Sequence, residues 1–71
     1  MANVITNNIR KLRFEHNEMT QQKLADAVSV SRQTIVAIEK GKYSPSLEVA
    51  FKIAIVFEKP INQVFFYLDE V

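Results

Sequence analysis

The decapeptide SRQTIVAIEK, residues 31 to 40, holds the side chains in this 71-residue chain whose types and spacing best suit chemistry. Wound as a helix at about 100° per residue, it turns Ile35 and Ile38 to one side and Gln33, Val36, Ala37 and Lys40 to the other. Arg32 and Thr34 flank the outward side. An ordinary solvent-facing helix would carry Glu and Lys there. Arg, Gln and small apolar groups instead match base edges: Arg the two acceptors of guanine, Gln the donor and acceptor of adenine, and an Ala or Val methyl that of thymine. A single surface arginine is ordinarily a solvated charge, so the weight rests on the combination.

Such a helix must be held in place, and the flanking residues show how. Thr6, Thr20, Ser31 and Ser46 each stand where a side-chain oxygen would cap a following helix. Apolar spacing then predicts helices over about 6–16, 20–28, 31–40, 46–58 and 61–66. Gly41 is placed to end the third helix in a left-handed conformation. Counting from Gln21, a small residue falls at Ala25, a turn at Ser29 and apolar residues at Val30, Ile35 and Ile38. A short turn sets two helices at a steep angle, and a small side chain lets them cross closely. This is the helix-turn-helix arrangement, whose second helix enters the major groove while the first lies across the backbone. Ser29 stands where glycine is usual, which predicts a positive φ carried by a residue with a Cβ.

In the fourth helix Leu47, Ala50, Phe51, Ala54 and Ile55 form one stripe, with Val49, Ile53 and Val56 opposite and Glu48, Lys52 and Lys59 as a polar wedge. That pattern predicts packing on several sides, with a subunit contact as the alternative. After Pro60 the segment INQVFFYLDEV gathers Val64, Phe65, Phe66 and Tyr67, which either fold back on the core or meet a second copy. Ile61, Val64, Phe65 and Phe66 are the candidate dimer contacts. The aromatic run is also strand-prone, and a β pairing with Val4 and Ile5, within or between chains, stays open.

TQQKLADAVSVSRQTIVAIEKGKYSPSLEVAFKI followed by INQVF resembles the Cro/C1-type helix-turn-helix repressors of phages and bacteria (the XRE family), especially their small stand-alone members. The resemblance spans about residues 5–66. It implies an all-α, compact five-helix bundle of the lambda-repressor-like type, forming one domain over residues 1–71 with a C-terminal tail at 67–71. It implies further that Arg32, Gln33, Ala37 and the neighbouring Val36 face base edges. Thr34, Lys40, Lys42 and Tyr43 would lie against the DNA backbone, and Gln21 would touch phosphate and brace Arg32. Arg13 and Glu39 would form a structural ion pair. Two departures stand out: RFEHNEMTQ is one residue longer between Arg13 and Gln21 than in many relatives, which bears on that pair, and Ser29 replaces glycine.

The bulk composition narrows the alternatives. One His and one Gly, with no Cys, leave few ways to build a catalytic triad, a phosphate-binding loop or a metal site, so no enzyme, cofactor or metal is expected. His16 has no partner at ligand spacing and reads as a solvated residue near a helix end. The longest apolar run, Ile53 to Phe57, is far below the ~18 residues of a membrane span, and MANVITNN is not a secretion signal, so the expectation is a cytoplasmic protein without membrane contact. Net charge is +1, with Lys23, Arg32, Lys40 and Lys42 against Asp26 and Glu39 in residues 20–42, and Asp69 and Glu70 at the end. The leading expectation is a DNA-binding transcriptional repressor acting as a homodimer on a near-palindromic double-stranded site. About five residues follow the last helix, so no small-molecule effector is expected. The alternative is an antitoxin-like or anti-repressor interaction module whose tail, Phe65 to Leu68, binds another protein.

Overall fold

A computed structural model of the chain describes residues 4–68. The chain order is β1 (Val4–Asn7), α1 (Ile9–Glu15), α2 (Gln21–Val28), α3 (Arg32–Glu39), α4 (Leu47–Phe57), a 3-10 turn (Ile61–Gln63) and β2 (Phe65–Leu68). Three helix starts follow from their caps. The hydroxyls of Thr20, Ser31 and Ser46 accept from the amides of Lys23, Thr34 and Val49, each such cap contributing about 1 kcal/mol.

The helix ends share one closure. After α2 the Val30 amide reaches Ala25 O at 3.0 Å and the Ser29 amide Asp26 O at 3.4 Å. After α3 and α4 the same pattern recurs, with Lys42 to Ala37 O at 3.0 Å and Lys59 to Ala54 O at 3.1 Å. Each closure needs one left-handed residue. Those residues are Ser29 (φ 63°), Gly41 (φ 75°) and Glu58 (φ 56°). Ser29 therefore makes the turn that glycine usually makes.

Ile9, Leu12, Leu24, Val28, Ile35, Ile38, Ile53, Phe57 and Val64 close one core. Ala25 is fully buried and α2 packs on α3, as close crossing of a helix-turn-helix requires. The core fixes the face of α3 that must point away: with Ile35 and Ile38 inward, Arg32, Gln33 and Lys40 are exposed.

Three expectations are corrected, on the fifth helix, Thr6 and α4, and one open alternative, the β pairing, is decided. The fold is mostly helical with four helices, and the predicted fifth is a single 3-10 turn that gives way to β2. β2 pairs antiparallel with β1 inside the same chain, Ile5 opposite Tyr67 and Thr6 opposite Phe66. The β-branched and aromatic residues there favour a pleated pairing over another helical turn. Thr6 consequently lies in β1 and caps nothing; α1 begins at Ile9, whose amide is met by Asn7 Oδ1 at 3.1 Å. Finally, α4 is packed on one side only. Ala50, Ile53, Ala54 and Phe57 are buried, whereas Leu47, Phe51 and Ile55 are 70%, 49% and 72% exposed. Among the described residues, no helix is long and apolar enough to cross a membrane.

Candidate nucleic-acid interface

Helix α3 is presented by the α2–α3 turn, its own cap and a buried clamp at its C-terminal end. At the start, Ser31 Oγ accepts the Thr34 amide at 3.1 Å and shares a hydrogen with Thr34 Oγ1 at 2.9 Å. Arg32, Gln33 and Lys40 stand exposed, with Thr34, Val36 and Ala37 half-buried on the same side. The acidic residue of this helix, Glu39, is drawn in against α1 and the start of α2. Arg13 Nε donates to Glu39 Oε2 at 2.7 Å and its Nη2 to Oε1 at 3.2 Å. Gln21 Nε2 adds a third donor to Oε1 at 3.2 Å. With both side chains about nine-tenths buried, Glu39 is neutralised and withdrawn from the outward face.

The segment between Arg13 and Gln21 leaves this clamp intact because it is coiled up. Asn17 and Glu18 take left-handed conformations, the Met19 amide returns to Arg13 O at 2.8 Å, and Arg13 Nη1 donates to Met19 O at 2.7 Å. Gln21 differs from expectation in its partner. Its hydrogen bond goes to Glu39 rather than Arg32, so its amide helps hold the helix instead of the arginine. Lys42 and Tyr43 follow the Gly41 closure and are exposed, Tyr43 by 53%.

The Helix-turn-helix family model matches residues 9–64. The chain belongs to the Cro/C1-type helix-turn-helix family. An HTH-type transcriptional regulator of Methanocaldococcus jannaschii is 53% identical over 64 residues, covering 90% of this chain and 96% of the relative. The CTXphi transcriptional repressor RstR of Vibrio cholerae is 34% identical over 61 residues, covering 86% of this chain and 54% of the relative. The crystal structure of the transcriptional regulator VanUg matches the fold with TM-score 0.77 at 24% identity, over 99% of this chain and 92% of that one. The relatives are transcriptional regulators and not enzymes.

Within this Cro/C1-type domain the structure adds residues that the sequence did not single out. Arg10 of α1 joins Thr20, Gln21, Arg32, Val36 and Lys40 around one open concavity between α1, the start of α2 and α3, with the paired Arg13 and Glu39 also in its lining. The Arg10 guanidinium lies 5.7 Å from the Phe14 ring, with Arg13 at 5.9 Å, so an exposed aromatic lies close to two cations. Asn7 is a second addition. Besides meeting Ile9, it donates from Nδ2 to Ile38 O at 2.9 Å and so ties β1 to the C-terminal end of α3. The one available signal was an asparagine directly before an apolar periodic segment, and it gave no partner for the amide.

Other expected residues fall elsewhere. Val64, named as a dimer contact, is fully buried in its own core, and its carbonyl accepts the Asn8 amide at 2.9 Å. Ile61 and Phe65 are half-buried against the same core, which leaves Phe66, 37% exposed, as the accessible member of that group. Phe65 to Leu68 is a paired strand rather than a free tail, and residues 69–71 lie outside the described part. His16 is half-buried, its ring edge-on to Phe57 at 5.2 Å. Among the described residues no group of three His, Cys, Asp or Glu could hold a metal.

Proposed function

We propose that this chain is a sequence-specific double-stranded DNA-binding repressor that acts as a homodimer on a near-palindromic operator. One observation carries the reading. Helix α3 turns Arg32, Gln33 and Lys40 outward while its carboxylate, Glu39, is held inward by Arg13 and Gln21. A helix face so cleared of negative charge can approach phosphates and present donors to base edges.

In this arrangement Arg32 and Gln33 read bases through bidentate hydrogen bonds, and Val36 and Ala37 offer methyl contacts. Thr34, Lys40, Lys42 and Tyr43 meet the phosphate backbone, joined by Arg10 at the rim of the concavity. Gln21 contacts phosphate from the start of α2, where the helix N-terminus also favours an anion. Two copies would set their α3 helices about 34 Å apart, in successive major grooves.

The test is Arg32→Ala, measured against a panel of single-base operator variants. Loss of selectivity at one G·C pair, with a cost of about 1 to 3 kcal/mol, supports base reading. An equal loss on every sequence would mean that Arg32 only grips phosphate.

A further inference from the structure

We infer that the exposed stripe Leu47, Phe51 and Ile55 on α4 is the surface that receives a second copy of this chain, the two α4 helices packing antiparallel across a two-fold axis. The inference rests on the homodimer reading and goes beyond it by placing the contact on α4 and fixing its direction.

Three large apolar side chains spaced by four residues make a continuous ridge, and their exposures of 70%, 49% and 72% leave it without a partner among the described residues. The ridge is symmetric about its centre. Leu47 and Ile55 lie one turn to either side of Phe51, so a two-fold axis through Phe51 sets each Leu47 against the second copy's Ile55 and the two rings against each other. A two-fold interface must be self-complementary, and this pattern is.

Charge agrees with the same direction. Glu48 and Lys52 run along one flank of the ridge, joined within the chain at 3.2 Å, with side chains 76% and 42% exposed. In an antiparallel pair that flank faces itself with its order reversed, so each Glu48 meets the second copy's Lys52. A parallel two-fold pair would carry the two flanks to opposite sides of the interface, where Glu48 and Lys52 meet no opposite charge of the second copy. Only the antiparallel arrangement brings opposite charges of the two copies together, so the flank selects it. A helix pair alone covers less than the ~800 Å² per partner of a stable interface. The free dimer is therefore weak, and DNA that binds both copies at once strengthens it.

The test measures self-association by analytical ultracentrifugation, with folding checked by far-UV circular dichroism. Lys52→Glu, which makes the whole flank acidic, is expected to raise the dimer dissociation constant by about tenfold or more. The swapped variant Glu48→Lys with Lys52→Glu restores every opposite pair and is expected to dimerise like the native chain. Register is read separately, since the native sequence has no cysteine. In a mixture of Leu47→Cys and Ile55→Cys proteins, a short bismaleimide should join unlike variants in preference to like ones, because like positions are about 12 Å apart along the helix pair. A dimer unaffected by Lys52→Glu and by Ile55→Glu overturns the inference while the homodimer stands, and moves the contact to the exposed β2 residues. A native chain that is monomeric both free and on duplex DNA overturns the homodimer reading itself.

Discussion

Removing Glu39 tests the clamp on α3 most sharply, because the structure specifies what would be left behind. In Glu39→Ala the Arg13 guanidinium loses both carboxylate contacts, at 2.7 and 3.2 Å, and keeps only the Met19 carbonyl at 2.7 Å. Gln21 loses its acceptor as well. Exposure of the paired side chains is 10% and 9%, so water replaces little of this. Breaking a buried pair by deleting one partner costs about 3 to 5 kcal/mol. Small domains are stable by roughly 0.05 to 0.15 kcal/mol per residue, which for a chain of this length is about 4 to 10 kcal/mol in total. Much of that margin would be lost, and at ~4 °C or more per kcal/mol the Tm should fall by about 12 °C or more. Urea and thermal unfolding followed by circular dichroism measure it. The decisive companion is the double variant Arg13→Met with Glu39→Met, which removes both charges at similar volume and should recover most of the loss. A single-variant cost under about 1 kcal/mol with no coupling in the cycle, the behaviour of an exposed pair, would refute the account of the clamp.

Other substitutions probe the closures and the coupling of sheet to helix. Ser29→Gly and Glu58→Gly should each stabilise by about 0.5 to 1 kcal/mol, since both positions hold left-handed backbone that glycine adopts without strain; a destabilised glycine variant would show that the native side chain supplies more than the conformation costs. Gly41→Ala should cost about 1 kcal/mol for conformational reasons alone, because the nearest atom to a new Cβ, Ile5 O, is 3.8 Å away. Asn7→Ala removes the bonds to Ile9 N and Ile38 O and should cost about 1 to 3 kcal/mol, read by urea unfolding; no change would mean that water replaces both. Lys42→Ala should weaken DNA binding about equally on all sequences and reduce the slope of log affinity against log salt by about one, whereas a sequence-dependent loss would make Lys42 a base reader.

What was legible beforehand follows a physical division. The caps Thr20, Ser31 and Ser46 and the inward positions Ile35 and Ile38 depend on local periodicity, and the spacing of the chain exposes them directly. Ser29 was legible for the same reason: the length between two helical patterns demands a left-handed residue whatever its side chain. The end of the chain was not. A segment such as Ile61–Leu68 carries both helical and strand preferences, and only the presence of β1 beside it decides between them. Which side of α4 meets the core was not legible for a related reason. Its apolar residues surround most of the helix, so periodicity cannot say which of them meet a core that covers one side. Gln21 and Asn7 were misjudged or overlooked because their partners, Glu39 and Ile38, are distant in sequence, and hydrogen bonds of that kind leave no local trace.

The central claim is that α3 reads a particular duplex sequence as part of a symmetric dimer. Selection of bound sites from a pool of random double-stranded DNA tests it most directly. The account predicts enrichment of a palindromic consensus whose half-sites are centred about 10 base pairs apart, matching two α3 helices in successive major grooves. A pool that returns with no enriched sequence would contradict it.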